Sequence, residues 1–391
     1  MYVLDMNQFQ RFIPQSQTNQ DASNDAFCRL RISQPFTMFD SQNRYALSNL
    51  FFSNTVSGAT IANITTESTA NLIINTTTSS AIRQSKYYFP YQPGKSLMTM
   101  FTFCMAPAQP GLVTQRVGYF DDQNGIFFEV SDSTYIVKRN NGQDTKIQQL
   151  NWNSNSLLVL DPTRVQIFFI DIEWLGVGTV RTGFFLDGVP VMCHKFHHAN
   201  ILNSVYMKTA CLPVRYQIFN TGLARQCGLK QICSTVISEG GYDPKSGYLY
   251  MQNTPSVSIP QNTITPIMSI TLDPNYLGVV AYIKRVCVIS ATNGDIGYWY
   301  IYLNPTLTGA SFTSHASSFA VMYDTSATVL SGGRIINGGI FSTTANVDYS
   351  FEEQIQLGLK DINASDIMTL AVSRVNNGSS SVLGMLQWTE I

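Results

Sequence analysis

Charge is the scarcest property of this chain. Only 13% of its 391 residues are Asp, Glu, Lys or Arg, and the formal net charge is -1. Binding to nucleic acid or to an anionic membrane needs clustered Lys and Arg that displace counterions, so neither is an expected partner. Solubility must come from uncharged Asn, Thr, Ser and Gln. Long apolar runs are also missing: none approaches the ~18 residues of a spanning helix. The N-terminal MYVLDMNQFQRFIPQ lacks the basic flank and apolar core of a signal peptide, which predicts a soluble product made in a cytoplasm. The seven cysteines, Cys28, Cys104, Cys193, Cys211, Cys227, Cys233 and Cys287, are dispersed and form no C-x-x-C pair, so free thiols are expected rather than a disulfide framework. No G-x-S-x-G elbow, Walker-type loop or dinucleotide fingerprint occurs, and no cofactor and no catalytic set are expected.

What is present is β grammar. The densest strand-forming stretch is QIFFIDIEWLGVGTVRTGFFLDGVPV, residues 166–191, where Gly176 and Gly178 interrupt the run and Asp187-Gly188 is a hairpin signal. It predicts an antiparallel meander. Residues 35–245 contain no useful amphipathic stretch of 3.6-residue period, and turn dipeptides separate many short strands. The expectation is an all-β fold, a jelly-roll-like β-sandwich over 35–245 followed by a second, smaller β-sandwich domain over 267–391. Residues 1–34, polar and rich in Gln and Asn, are predicted as an extended arm clamped by neighbouring subunits. Residues 246–266, with Pro255, Pro260 and Pro266, are predicted as a linker. A short helix is predicted over 363–369, capped by Asn363 or Ser365.

Three constellations invite chemistry. Asp171 and Glu173 interrupt apolar sequence at a spacing of two, which puts both carboxylates on one face of a regular strand. They are read as glycan-binding or structural carboxylates, with Arg181, Arg164 or Lys195 as ion-pair partners. Around them, FIDIEWLG (169–176) resembles the E-I-D-I-E-F-L-G strand of laminarinase-type retaining glycoside hydrolases, which are jelly-roll sandwiches. The resemblance implies a nucleophile at Phe169, a tuning acid at Asp171 and an acid/base at Glu173. A phenyl group cannot attack, and the retaining mechanism needs two carboxyl groups about 5–5.5 Å apart, so hydrolysis is not expected. In CHKFHH, strand spacing places His194 and His198 ~13 Å apart on one face and His197 with Cys193 and Lys195 on the other, which argues against a metal. Tyr87, Tyr88, Phe89 and Tyr91 form an aromatic cluster that suits either an intersubunit interface or a core.

Longer matches cover nearly the whole chain. RQSKYYFPYQPGKS (83–96), RVGYFDDQNGIFFE (116–129), TRVQIFFIDIEWLGVGTVR (163–181), FHHANILNSVYM (196–207), QICSTVISEGGY (231–242) and LNPTLTG (303–309) resemble a family of virion structural proteins of tailed bacteriophages and other large double-stranded DNA viruses. The resemblance implies a capsid-, neck- or tail-associated subunit, made in the host cytoplasm and residing in the virion. Its partners would be copies of itself and other virion proteins, and it supplies no catalytic residues. The other reading of the same residues is a carbohydrate-binding or host-attachment module of a fibre or baseplate, with a host-surface glycan as partner.

Overall fold

The computed structural model describes residues 34–222, 226–243, 247–291, 295–342, 347–376 and 378–391, so all of the predicted arm except Gln34 lies outside the described residues. The first half of the chain is built from β1 (Phe36–Gln42), β2 (Phe51–Val56), β3 (Thr60–Ile64), β4 (Thr69–Ile74), β5 (Ser80–Ser85), β6 (Leu97–Cys104), β7 (Val113–Phe120), β8 (Gly125–Val130), β9 (Thr134–Asn140), β10 (Gln143–Gln148), β11 (Gln166–Ile172), β12 (Val180–Leu186), β13 (Val189–Phe196), β14 (Val214–Asn220) and β15 (Cys227–Ser238). One sheet runs β13-β12-β11-β6-β15-β4-β3, with β1 also on β15; the other runs β10-β9-β8-β7-β14-β5-β2. This is a jelly-roll-like sandwich.

Alternation along the strands decides what faces inward. Phe168, Ile170 and Ile172 of β11 meet Val117, Tyr119, Phe128 and Tyr216 of the opposite sheet in one apolar cluster. Rings interlock across the gap, with Phe128 at 5.8 Å from Phe103, 5.6 Å from Phe168 and 5.2 Å, edge-on, from Phe184. Aromatic contacts of this kind add to the burial of the rings themselves.

The outer face of the second sheet is sealed rather than open. Phe120, Phe127 and Val137 point outward there, yet each is fully buried. Arginines lie over the rings: Arg139 is 5.0 Å from the Phe127 centroid and Arg215 is 5.4 Å from that of Phe120. Carboxylates hold them flat, Asp144 on Arg139 at 2.7 Å and Asp122 on Arg215 at 2.5 Å. Among the described residues the first sheet has no such layer over β11 to β13, and that is where the groove described below lies.

The rest of the chain forms the second, smaller sandwich. Strand Ser379–Glu390 lies between Tyr248–Asn253 and Ala281–Ser290, and Val257–Pro260 also pairs with it. Thr265–Leu272, Met368–Arg374, Ile296–Leu303 and Arg334–Ser342 follow one another in the facing sheet. The core includes Ile270, Ile301, Leu370, Leu386, Trp299 and Trp388.

Two expectations are corrected here. The stretch 246–266, read as a linker, supplies two strands to this sandwich and the start of a third. Its prolines do not break them because of where they sit: Pro255 falls between strands, Pro260 ends one, and Pro266 adjoins a bulge. The helix read at 363–369 is absent as well. Ala364–Ser365 and Met368–Arg374 are extended, and every residue of the latter strand is buried. Tertiary burial overrides a local capping signal there.

The two sandwiches touch through a small apolar cluster of Phe52, Tyr88, Val280, Tyr282 and Leu359. Backbone bonding reinforces it, Leu359 N–H donating to the Lys86 carbonyl at 2.7 Å and Gln356 Nε2 to that of Tyr88 at 2.9 Å. The aromatic cluster is therefore spent inside the chain. Tyr88 sits between the sandwiches, Phe89 and Tyr91 belong to the first core, and Tyr87 is half-buried against it. None is an exposed anchor for a neighbouring copy. Phe128→Ala should destabilise the first sandwich by about 3–5 kcal/mol, the range for emptying a fully buried aromatic site, read as a lower denaturant midpoint with unchanged slope.

Candidate functional site: a polar groove across β11 to β13

The meander places the carboxylates. Asp187 and Gly188 both take positive φ, 51° and 78°, and form the tight turn that returns β12 as β13. Along β11, burying Phe168, Ile170 and Ile172 forces Phe169 and Asp171 to the outer face. Register then sets Asp171 opposite Arg181, and Arg181 opposite Lys195. One row thus reads Lys195, Arg181, Asp171 across three strands.

Around this row lies a groove of about 540 Å³. Glu173 and Leu175 enter it just past β11, Thr179 just before β12, and Lys195 and His197 from β13 and its end. The turn before β6 closes the other side with Tyr91, Lys95 and Ser96. Asp171 and Arg181 form an ion pair in which the Asp171 side chain is 7% exposed and that of Arg181 51%. Burial pushes the Asp171 carboxyl above its ordinary value, and Arg181 opposes that rise. Glu173 is exposed, and its Oε2 accepts from the Thr179 N–H at 3.3 Å. Arg164 pairs with Asp161 instead, at 3.8 Å.

Phe169 is 2% exposed, with its ring 5.3 Å from that of Phe185. It lies over Gly183, where a Cβ would come within 2.8 Å of the Phe169 ring. The position that carries a nucleophile in the laminarinase-type strand is here a packed phenyl group, and the glycine beneath it makes the room.

The histidines work apart. Strand alternation fails at Cys193, where a bulge passes from the Thr182–His194 pair to the Gly183–Met192 pair. Cys193 is consequently buried in the core and not on the face of Lys195 and His197, as simple alternation predicts. His194 is also buried, its Nδ1 accepting from the Asn153 N–H at 3.3 Å. His198 stacks on Tyr206 with centroids 3.9 Å apart and contacts the Gly178 carbonyl at 2.6 Å through Nδ1 and Lys138 Nζ at 3.1 Å through Nε2. It pins the 173–179 loop that walls the groove. Among the described residues, no group of three His, Cys, Asp or Glu side chains is arranged to hold a metal ion.

Sequence reasoning named Arg181 and Lys195 only as ion-pair partners and missed Lys95, Ser96 and Thr179. The turn signal Pro93-Gly94 marks the loop that carries Lys95 and Ser96, but nothing local says which strand ends it faces.

No family model matches the chain, and no curated protein matches it. Solved structures align with about half of it. The carbohydrate recognition domain of Emp47p shares 10% identity over 50% of this chain and 93% of its own, with a TM-score of 0.33. A prokaryotic β-1,3-1,4-glucanase derived from a mouse hindgut metagenome shares 12% over 53% and 100%, with a TM-score of 0.36. The CBM2 module of the evolved Dit of Lactobacillus casei BL23 phage J-1 shares 6% over 55% and 100%, with a TM-score of 0.35.

Burial lowers the His194 pKa from 6.5 to about 4, helped by His197 and Lys138, and shifts His198 in the same direction. Between those values the unfolded chain takes up a proton at His194 that the folded chain refuses, so stability is lost as pH falls. Urea midpoints should drop as pH falls from 6.5 to about 4, and His194→Gln should flatten that slope.

Proposed function

We propose that this chain is a non-catalytic saccharide-binding subunit of a virus particle. The observation that carries the binding role is the groove on the outer face of β11 to β13, about 540 Å³ in volume and lined by charged and hydroxyl side chains. That volume suits a ligand of a few sugar rings, and small-ligand sites are typically clefts of about 300–1,000 Å³. Donors and acceptors from three strands and one turn converge on it, which matches a ligand whose surface is mostly hydroxyl. A hydrolytic role is not proposed, because Phe169 is buried where the laminarinase-type mechanism requires a carboxylate. The virion setting rests on the six ordered segments that resemble virion structural proteins.

A second role, assembly into a homo-oligomer, is favoured by one apolar feature of the second sandwich. Ile289 and Leu383, directly opposite on neighbouring strands, are 40% and 41% exposed. They line a hollow of about 380 Å³ together with Met385. A contact between copies would cover such a face. The two roles are compatible, since groove and hollow lie on different sandwiches.

A glycan array probed with the intact chain tests the first role: specific binding that falls at least tenfold in Glu173→Ala supports it, and absence of binding to any glycan overturns it. For the second, sedimentation should show an oligomer that Leu383→Asp shifts toward monomer. A chain that is monomeric throughout would remove that role.

A further inference from the structure

We infer that the groove takes an acidic saccharide, one bearing a sugar carboxylate, and that Lys195 and Lys95 receive the acid group. The inference rests on the saccharide reading of the groove and deepens it. Register places Arg181 directly opposite Lys195, a like-charge pair of the kind that destabilises a sheet unless an anion lies nearby. Asp171 is on the far side of Arg181 and is already paired with it. Lys195 therefore faces the groove beside a guanidinium whose partner lies on its other flank.

Lys95 reaches the same groove from the opposite wall, where its Nζ donates to the Gln92 Oε1 at 2.7 Å. Among the described residues no carboxylate forms an ion pair with either lysine. Three cationic side chains against two carboxylates leave the groove one net positive charge, in a protein whose whole formal charge is -1. Glu173, the remaining carboxylate, already accepts from the Thr179 N–H in its own loop. Positive charge at the groove thus exceeds the carboxylates beside it, whereas on the second sheet Arg116, Arg139, Lys146 and Arg215 are paired with Glu129, Asp144 and Asp122. A uronate carboxylate would complete it by neutralising that charge through hydrogen bonds in which both donor and acceptor are ionised, whereas a sugar hydroxyl leaves the charge in place.

The test uses the full chain and calorimetric titration with tetrasaccharides of galacturonate, glucuronate and mannuronate, each beside its carboxyl-reduced neutral counterpart. At least one acidic form should bind tenfold or more tightly than its neutral counterpart, with affinity falling as salt is raised. Lys195→Gln, at a half-exposed position, and Lys95→Gln should each erase most of that preference without lowering the melting temperature. Neutral and acidic forms binding equally would overturn the inference and leave the saccharide reading standing. Binding by neither would overturn the inference, and the saccharide reading falls with it where the glycan array also shows no binding.

Discussion

The constraint on which this structure depends is the two-residue period of strands packed between facing sheets. Once Phe168, Ile170 and Ile172 are committed to the core with Phe128 and Phe184, the outward positions of β11 are fixed as Phe169 and Asp171. A slip of one residue would turn the Asp171 carboxylate into the apolar core, away from Arg181, and send three large side chains to the outer face. The groove is therefore a consequence of core packing, and its charged row inherits its register from the same pairs that hold the sheet together.

The two faces of the first sandwich dispose of their polar groups differently. On the second sheet, arginines lie over phenyl rings and are tied to carboxylates, so charge there is consumed internally. Around the groove on β11 to β13, Arg181, Lys195 and Glu173 stay partly or fully exposed, and among the described residues Asp171 and Arg181 are the one ion pair there. Low total charge makes this contrast meaningful. In a chain with so few ionic groups, their location reports function more directly than their number.

Fold class was legible because strand chemistry and turn dipeptides are local properties. The meander over 166–191, with Asp187-Gly188 at its turn, follows from alternation and from the positive φ that such a turn needs. The same local logic failed at 246–266 and at 363–369. Proline is tolerated in a sheet at strand ends and beside bulges, and Pro255 lies between strands, Pro260 ends one and Pro266 adjoins a bulge. The capping signal at Asn363 lost to the burial of Met368–Arg374, which exists only once the second sandwich is assembled.

By itself, then, the sequence determined the all-β architecture, the outward side of Asp171 and the presence of a phenyl group, not a carboxylate, at Phe169. Each of these depends on residues adjacent in the chain. Only the tertiary structure decided that Tyr88 joins the two sandwiches, that a bulge turns Cys193 inward, and that Lys95 meets Lys195 across one groove. Those outcomes depend on contacts between segments about 100 or more residues apart in the chain, or on strand register, and pair geometry of that range is set by the packing of whole sheets.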